Sequence, residues 1–514
     1  MNFAAIDWVI VVTYLGISLG MGLLGKRYIG NVSHYLVAGR ELGLYVGIAT
    51  LAATEIGTIT FMYYSEFGYK YGFSAFSVAL ISGLVMIFVG RTGFIVKRFR
   101  EMKLMTVPEY FELKYSRGLR LLTGFLVALG GVLNMGAFLI VEGKFLTVVS
   151  GLDNWHPWGM TSHQVLVGVM TLILALELAY TVLGGMVSVV ITDFLQYVLL
   201  STATVLVSIY AVYHAGWGNI VEKVTTTYGR AGINPFFHPD IGWVFLAWQT
   251  LLWFSVHTCW QTTAMRMFST KSPETSKKVM TWTGFIFLGR GMLPMLWGIC
   301  ALTLFGTGAL IGGVPSPVVH GKVIEPLNAM PAMLAQILGP GIRGLVVAGM
   351  LAATMSVNSS YLLGWSSVIS QDIILPIRQF LGKPMLSSST QILMNRIANL
   401  FVSLFVMFWG LYYRLPDVVY KYLNITATIF LAGSFISVVG GIYWKRANTL
   451  GGYLAMSMGA LGAIVPLLPE SFTFIPSILR NLNVAGFLAF GGAMIGFLAG
   501  SLLGNMNNER QRAA

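Results

Sequence analysis

The sequence predicts an all-α polytopic membrane protein of about thirteen transmembrane helices. Apolar residues fill 56% of its 514 positions and charged residues only 10%. The apolar residues gather in runs of about 20, and most of the basic residues sit in alternate loops between those runs. A water-soluble domain carries about 25% charged residues, so this chain lacks the polar side chains to cover a water-facing globule. The mean hydropathy of +0.75 agrees.

The runs lie near 5–24, 42–68, 76–96, 121–150, 164–183, 187–214, 241–265, 280–307, 334–371, 394–413, 417–443, 450–468 and 485–504. Each is bounded by Gly, Pro or charge and can cross about 30 Å of hydrocarbon as a helix. A helix is the expected form because lipid offers no partner for backbone N–H and C=O groups. Several runs exceed one straight crossing and should be tilted, broken or continued outside the bilayer. The first run is followed by Lys26 and Arg27 rather than preceded by charge, which is the reverse of a signal peptide. It reads as an uncleaved span with its N-terminus outside.

An odd number of spans puts the termini on opposite sides. One set of alternate loops holds Lys26, Arg27 and Arg40, seven basic residues between Lys97 and Arg120, four between Arg266 and Lys278, and Arg378, Lys383, Lys445, Arg446, Arg510 and Arg512. That makes 20 of the 32 basic residues. The opposite loops hold Lys70, Lys223, Arg230, Lys322, Arg343, Arg414, Lys421 and Arg480. The asymmetry predicts a cytoplasmic C-terminus in a multi-pass protein of the plasma (inner) membrane.

The same distribution excludes nucleic acid as a partner, although the net charge is +13; the charges mark topology and form no binding face. Cys259 and Cys300 fall inside apolar runs and build neither a disulfide framework nor a metal site. The stretch Gly16-Ile17-Ser18-Leu19-Gly20 matches a nucleophile elbow in letters only, since no strand precedes it. Nothing points to an enzyme or to a cofactor. The longest loops have about 20–25 residues, too few for a soluble domain.

Polar residues inside spans carry the functional signal, because a mid-bilayer carboxylate costs roughly 2.5–3.5 kcal/mol on insertion scales. Glu55 lies in Thr54-Glu55-Ile56-Gly57-Thr58-Ile59-Thr60, where Gly57 and three threonines favour a locally unwound helix. Unwound half-helices at mid-membrane hold ions and solutes in transporters; the alternative is a structural pair with a buried Arg or Lys. Asp193 shares a helix face with Gln196 and reads either as an interfacial cap or as an ion ligand. Ala353, Ser356 and Ser360 form one small polar stripe with Ser359 beside it. Such a stripe either lets helices approach or offers oxygens to a hard cation. His257 is placed to shuttle protons or to pack with a hydrogen bond. Arg91, Glu142, Lys144, Glu177 and Arg290 read as structural or interfacial, Arg290 being also a candidate counter-ion for Glu55.

In order along the chain, the sequence resembles the sodium:solute symporter family. The resemblance rests on Tyr35-Leu36-Val37-Ala38-Gly39-Arg40 with Leu42-Gly43, Val107-Pro108-Glu109-Tyr110, Ala179-Tyr180-Thr181-Val182-Leu183-Gly184-Gly185-Met186 followed by Thr192-Asp193-Phe194-Leu195-Gln196, Gly344 to Ala353, and Gly440-Gly441-Ile442-Tyr443-Trp444-Lys445-Arg446. It implies a leucine-transporter-like fold as a single domain: an extra helix at 5–24, inverted five-helix repeats at 42–214 and 241–443, and two trailing helices within 450–504. It also implies sodium held by the carbonyls of Ala53, Ile56 and Ala353 and the hydroxyl of Ser356. The family's next ligand position carries Ser or Thr and here is Val357, a loss for which Glu55 can compensate. Asp193 with Ser356, Ser359 and Ser360 resembles a second sodium site of some relatives. Thr58, Thr60, His257, Gln261 and Asn424 are the candidate solute contacts. The expected function is sodium-coupled symport of a small organic solute, with a proton-coupled symporter and a membrane solute sensor as alternatives.

Overall fold

In the computed structural model every expected apolar run is largely helical, and the departures from straight helices occur where the chemistry of the chain requires them. Residues 3–25, 31–307, 309–311, 314–319, 321–413, 418–469 and 471–513 are described. The helices used below are α1 (Ala5–Gly25), α2 (Leu44–Glu55), α3 (Thr58–Tyr71), α4 (Phe76–Thr92), α5 (Arg117–Met135), α6 (Phe138–Ser150), α7 (Ser162–Ala215), α8 (Gly242–Cys259), α9 (Gln261–Ser269), α10 (Pro273–Phe305), α11 (Ile342–Val368), α12 (Ser388–Tyr412), α13 (Val419–Tyr443), α14 (Thr449–Ile464) and α15 (Leu482–Ala513). Among the described residues, nine helical stretches are long and apolar enough to cross a membrane, with shorter apolar helices at Ala5–Met21, Leu44–Glu55 and Ser162–Leu178.

The run at 42–68 splits into α2 and α3 at Ile56-Gly57, where Gly57 is extended at φ −102 and ψ 168. The run at 241–265 splits as well, at Trp260 (φ −68, ψ 124), between α8 and α9. The runs expected at 164–183 and 187–214 fall on the two ends of α7, as the apolar helices Ser162–Leu178 and Met186–Ala215. The run at 334–371 is broken at Gly339-Pro340-Gly341, between a short helix, Ala329–Ile337, and α11: Pro340 supplies no N–H, and Gly341 takes φ +82, which favours glycine. The segment between α10 and α11 carries two small antiparallel ribbons, Ala309–Ile311 with Val314–Ser316 and Val318–Val319 with Lys322–Val323.

Buried polar groups pin the helices together. Asp7 on α1 is buried and accepts from the backbone N–H of Gly341 and Gly344, both at 2.8 Å, at the start of α11. Its charge thereby meets the positive end of that helix. Arg100 and Arg266, both counted by sequence among the cytoplasmic basic residues, are buried instead. Arg100 donates to the Thr270 carbonyl at 2.6 Å, and Arg266 belongs to the site below. Neither is a topology signal, and the basic asymmetry persists without them.

Helix α3 crosses α10 with backbones in contact. A Cβ on Gly68 would fall on the Met295 carbonyl, and one on Gly298 on the Ser65 carbonyl. Ser65 Oγ donates to Pro294 O at 2.8 Å beside the crossing, and Phe61 stacks on Trp297 with centroids 5.1 Å apart. Replacing Gly298 by Ala should cost about 1–3 kcal/mol or more through overpacking against main chain. Gly289→Ala on the same helix, where a Cβ meets only Leu293 at 3.9 Å, should be neutral or slightly stabilising. Thermal unfolding of the detergent-purified variants checks both.

Candidate functional site

The two helix breaks face each other. The last four carbonyls of α2, from Ala52 to Glu55, have no intrahelical N–H to accept. Thr60 partly repairs the gap: its Oγ1 accepts from the Gly57 N–H and donates to Glu55 O, each at 3.3 Å. Thr58 donates to Met350 O on α11 at 2.6 Å and fixes α3 there. Across the gap α9 begins with Thr262 and Thr263, whose hydroxyls both donate to Glu55 Oε1 at 2.9 Å. The carboxylate at the end of α2 thus sits at the first turn of α9, where a helix favours negative charge. Among the described residues, Oε2 of Glu55 accepts no hydrogen bond.

Trp260, at the second break, donates its indole N–H to Tyr361 Oη at 3.1 Å and stacks on Phe430 at 5.4 Å. Between the breaks lies a cavity lined by Glu55, Ile59, Thr60, Tyr63, Asn134, Phe138, Trp253, Trp260, Arg290, Val357, Tyr361, Leu423 and Asn424, among others. Val357 reaches it from α11 and packs so closely on the break that a Cβ on Gly57 would strike its methyl group.

One turn further along, Asp193 joins three helices. Its Oδ2 accepts from Thr50 on α2 and its Oδ1 from Ser356 on α11, both at 2.5 Å. Arg266 Nη2 lies 3.5 Å from Asp193 Oδ2, both side chains fully buried, and donates to Ser360 Oγ at 2.5 Å. Ser360 also meets Thr54 Oγ1 at 3.3 Å. Asn358 donates its amide to Glu142 and Glu177, each at 2.8 Å, away from the cavity wall. At the far end of α5, outside the apolar core, Arg120 bonds Glu112 at 2.6 Å and Asp372 at 2.7 Å. Partial burial raises the Glu112 carboxyl, but hydrogen bonds from Arg120 and Arg117 outweigh it and hold the group below its ordinary range.

A model of the sodium:solute symporter family matches residues 35–459. The chain belongs to the sodium:solute symporter family. It is similar to a sodium/pantothenate symporter of Haemophilus influenzae, 25% identical over 97% of both chains. It is also similar to a sodium/proline symporter of Staphylococcus aureus, 24% identical over 89% of this chain and 85% of that one. It spans 64% of a longer Drosophila melanogaster relative, 25% identical over 412 residues. Its fold matches the outward-open structure of a sodium-coupled sialic acid symporter with a TM-score of 0.73 at 19% identity, covering 97% and 98% of the two chains. The symporter is therefore an integral membrane transporter, not an enzyme, and sodium is its co-transported ion.

The structure places the residues expected from sequence unevenly. Ala53, Ile56, Ala353, Ser356 and Glu55 gather around the first break and the adjoining face of α11, all buried. Ser359 donates back to Ser356 O at 3.0 Å within its own helix. Asp193 and Ser360 stand together, but a guanidinium already contacts both, so the second ion expected there meets a resident positive charge. Of the expected solute contacts, Thr60 and Asn424 line the cavity. Thr58 is committed to α11, Gln261 accepts from the Val107 N–H at 2.9 Å, and His257 bonds Ser82 O at 3.0 Å and stacks on Trp253.

Sequence reading missed Arg266, Thr262, Thr263 and the break at Trp260, and it set Arg290 aside as structural. One signal was available: Thr262, Thr263 and Arg266 lie three and four residues apart, on one helical face. Replacing Arg266 by Gln should cost about 3–5 kcal/mol, because it leaves Asp193 buried without its cation. Arg266→Gln with Asp193→Asn should recover much of that loss, and thermal unfolding of the two single variants and the double variant checks the coupling.

Proposed function

We propose that one sodium ion binds where α2 unwinds, between the carbonyls of Ala53, Ile56 and Ala353 and the hydroxyl of Ser356, and drives a small organic solute through the adjacent cavity by alternating access. Ser356 donates its proton to Asp193, which leaves its lone pairs for a cation. Glu55 supplies the charge that Val357 cannot. The observation that carries this reading is the meeting of Glu55 and Val357 on one cavity wall, at a break whose carbonyls have lost their helical partners. A hard cation stripped of water needs several oxygens, and a carboxylate also offsets its charge in low dielectric.

Arg266 holds the Asp193–Ser360 corner in place of a second ion, which supports a stoichiometry of one sodium. The solutes named for the relatives, pantothenate and proline, are both small organic acids, and we take that size as the scale of the solute here. Glu55→Gln should weaken sodium activation of uptake by roughly 10- to 100-fold, the scale of one lost charged ligand. Val357→Ser in that background should recover part of it. Uptake into proteoliposomes with sodium and proton gradients imposed separately tests this. Uptake driven by protons alone and indifferent to Val357→Ser would remove the sodium assignment at this break.

The membrane arrangement we propose has thirteen crossings: an outer first helix at 5–24, repeats at 42–214 and 241–443, and trailing helices within 450–504. The N-terminus lies outside and the C-terminus in the cytoplasm of the plasma membrane. The 18 basic residues left on one set of loops once the buried Arg100 and Arg266 are set aside, against eight on the other, support it. Single cysteines placed in 215–240 or 308–333 should react with an impermeant maleimide from outside, and those in 97–119 only after permeabilisation. The native Cys259 and Cys300 are buried and should give little background. External labelling of 97–119 would overturn the orientation.

A further inference from the structure

Arg290 has no part in the sodium site, yet it is buried and lines the solute cavity. Its guanidinium lies 4.5 Å from the ring centre of Phe287 and 5.9 Å from those of Tyr64 and Trp253. Ring faces stabilise a guanidinium without neutralising it and without using its N–H donors. Its hydrogen bond to Tyr63 Oη is long, 3.4 Å, and its Nε has no partner. Among the described residues no carboxylate comes within ion-pair distance of it. A buried guanidinium in this condition has donors and charge to spare.

We propose that Arg290 anchors the negative charge of the solute and that the solute is a small organic monocarboxylate. The proposal rests on the cavity being the solute site. The charge balance around the breaks argues for it. Glu55 and Asp193 are opposed by Arg266 and Arg290, so these four side chains sum to zero with nothing bound. Glu55 and Arg290 line the same cavity without pairing. A sodium ion at Glu55 offsets its charge and leaves Arg290 in excess, and a bound monoanion restores neutrality.

Geometry narrows the class. The planar fork of a guanidinium matches a carboxylate with two parallel hydrogen bonds. Arg290 is the one basic residue among those lining the cavity, so a dianion such as phosphate would keep an unpaired charge in low dielectric. The rest of the wall suits a body part apolar and part hydrogen-bonding. Ile59, Phe138 and Leu423 are apolar, whereas Asn134 spends its amide N–H on Leu423 O and Thr426 Oγ1 at 2.7 and 3.0 Å and keeps Oδ1 as an acceptor.

The test is thermal unfolding of the purified chain in nanodiscs, in sodium or choline chloride, with acetate, lactate or phenylacetate and with the matching amides. In sodium at least one of the acids should raise the midpoint and none of the amides should. Arg290→Gln should weaken the acid's effect by roughly 30-fold or more, and Arg290→Lys should keep part of it. Sodium alone should still stabilise Arg290→Gln, which shows the variant folded. Amides that match their acids, an Arg290→Gln variant that binds acids unchanged, or no response to any of the three acids would overturn the proposal. A wild-type chain indifferent to sodium alone would sink the sodium site instead, and an acid effect lost in Arg290→Gln would stand without it.

Discussion

A helix interrupted in the middle of a bilayer leaves backbone groups that lipid cannot satisfy, each at a cost of several kcal/mol. This chain interrupts two helices and lets each interruption answer the other. Glu55 ends α2, where the dipole of its own helix disfavours it, and meets the first turn of α9, where the dipole and two threonine hydroxyls favour it. If α9 moved away, the carboxylate would stand unsupported beside the orphaned carbonyls of α2. The rest of the local structure keeps the two ends together. Thr58 ties α3 to α11, Trp260 ties the second break to Tyr361, and Leu42 bonds both Ser269 and Lys271 through the main chain at 3.0 Å.

Two kinds of contact surround this centre, and they differ in what they let move. Where α3 crosses α10, main chain lies on main chain with no side chain between, and such interlocks do not deform gradually. Around Asp193 the joints are hydroxyls and one guanidinium, directional contacts that exchange partners with small rotations. Transport in this fold requires parts of the bundle to shift while others stay rigid. The glycine crossing suits a rigid body, and the hydroxyl–carboxylate joints of α2, α7 and α11 suit the surface along which it shifts.

The spans were legible in sequence because hydrophobic length is a local property, and the first break was legible because Gly57 among threonines advertises it. The break at Trp260 carries neither Gly nor Pro. Its cause is tertiary: the aromatic neighbours of Trp260 and the demand of Glu55 for donors at 262 and 263. Arg266 was misread for a related reason. Counting basic residues treats each as a topology mark, and nothing local separates a loop arginine from one that answers a carboxylate more than 70 residues away in the chain. Residues such as Thr58 and Gln261 have the chemistry to touch a solute, yet both are spent on backbone partners that sequence spacing does not reveal.

The buried charges also bear on energetics. Moving one elementary charge across about 100 mV is worth roughly 2.3 kcal/mol, about 50-fold in accumulation. That gain belongs to the net charge carried, not to sodium as such. If one sodium crosses with one carboxylate, the cargo is neutral and the membrane voltage contributes almost nothing. The driving force is then the chemical gradient of sodium alone. With sodium held at Glu55 and the carboxylate at Arg290, as proposed, the pairing provides obligatory coupling in return. With Glu55 and Asp193 balanced by Arg266 and Arg290, either cargo bound by itself leaves a net charge in low dielectric, and only the two together leave none. The same four side chains that make the empty site tolerable in a membrane thus penalise its half-loaded states.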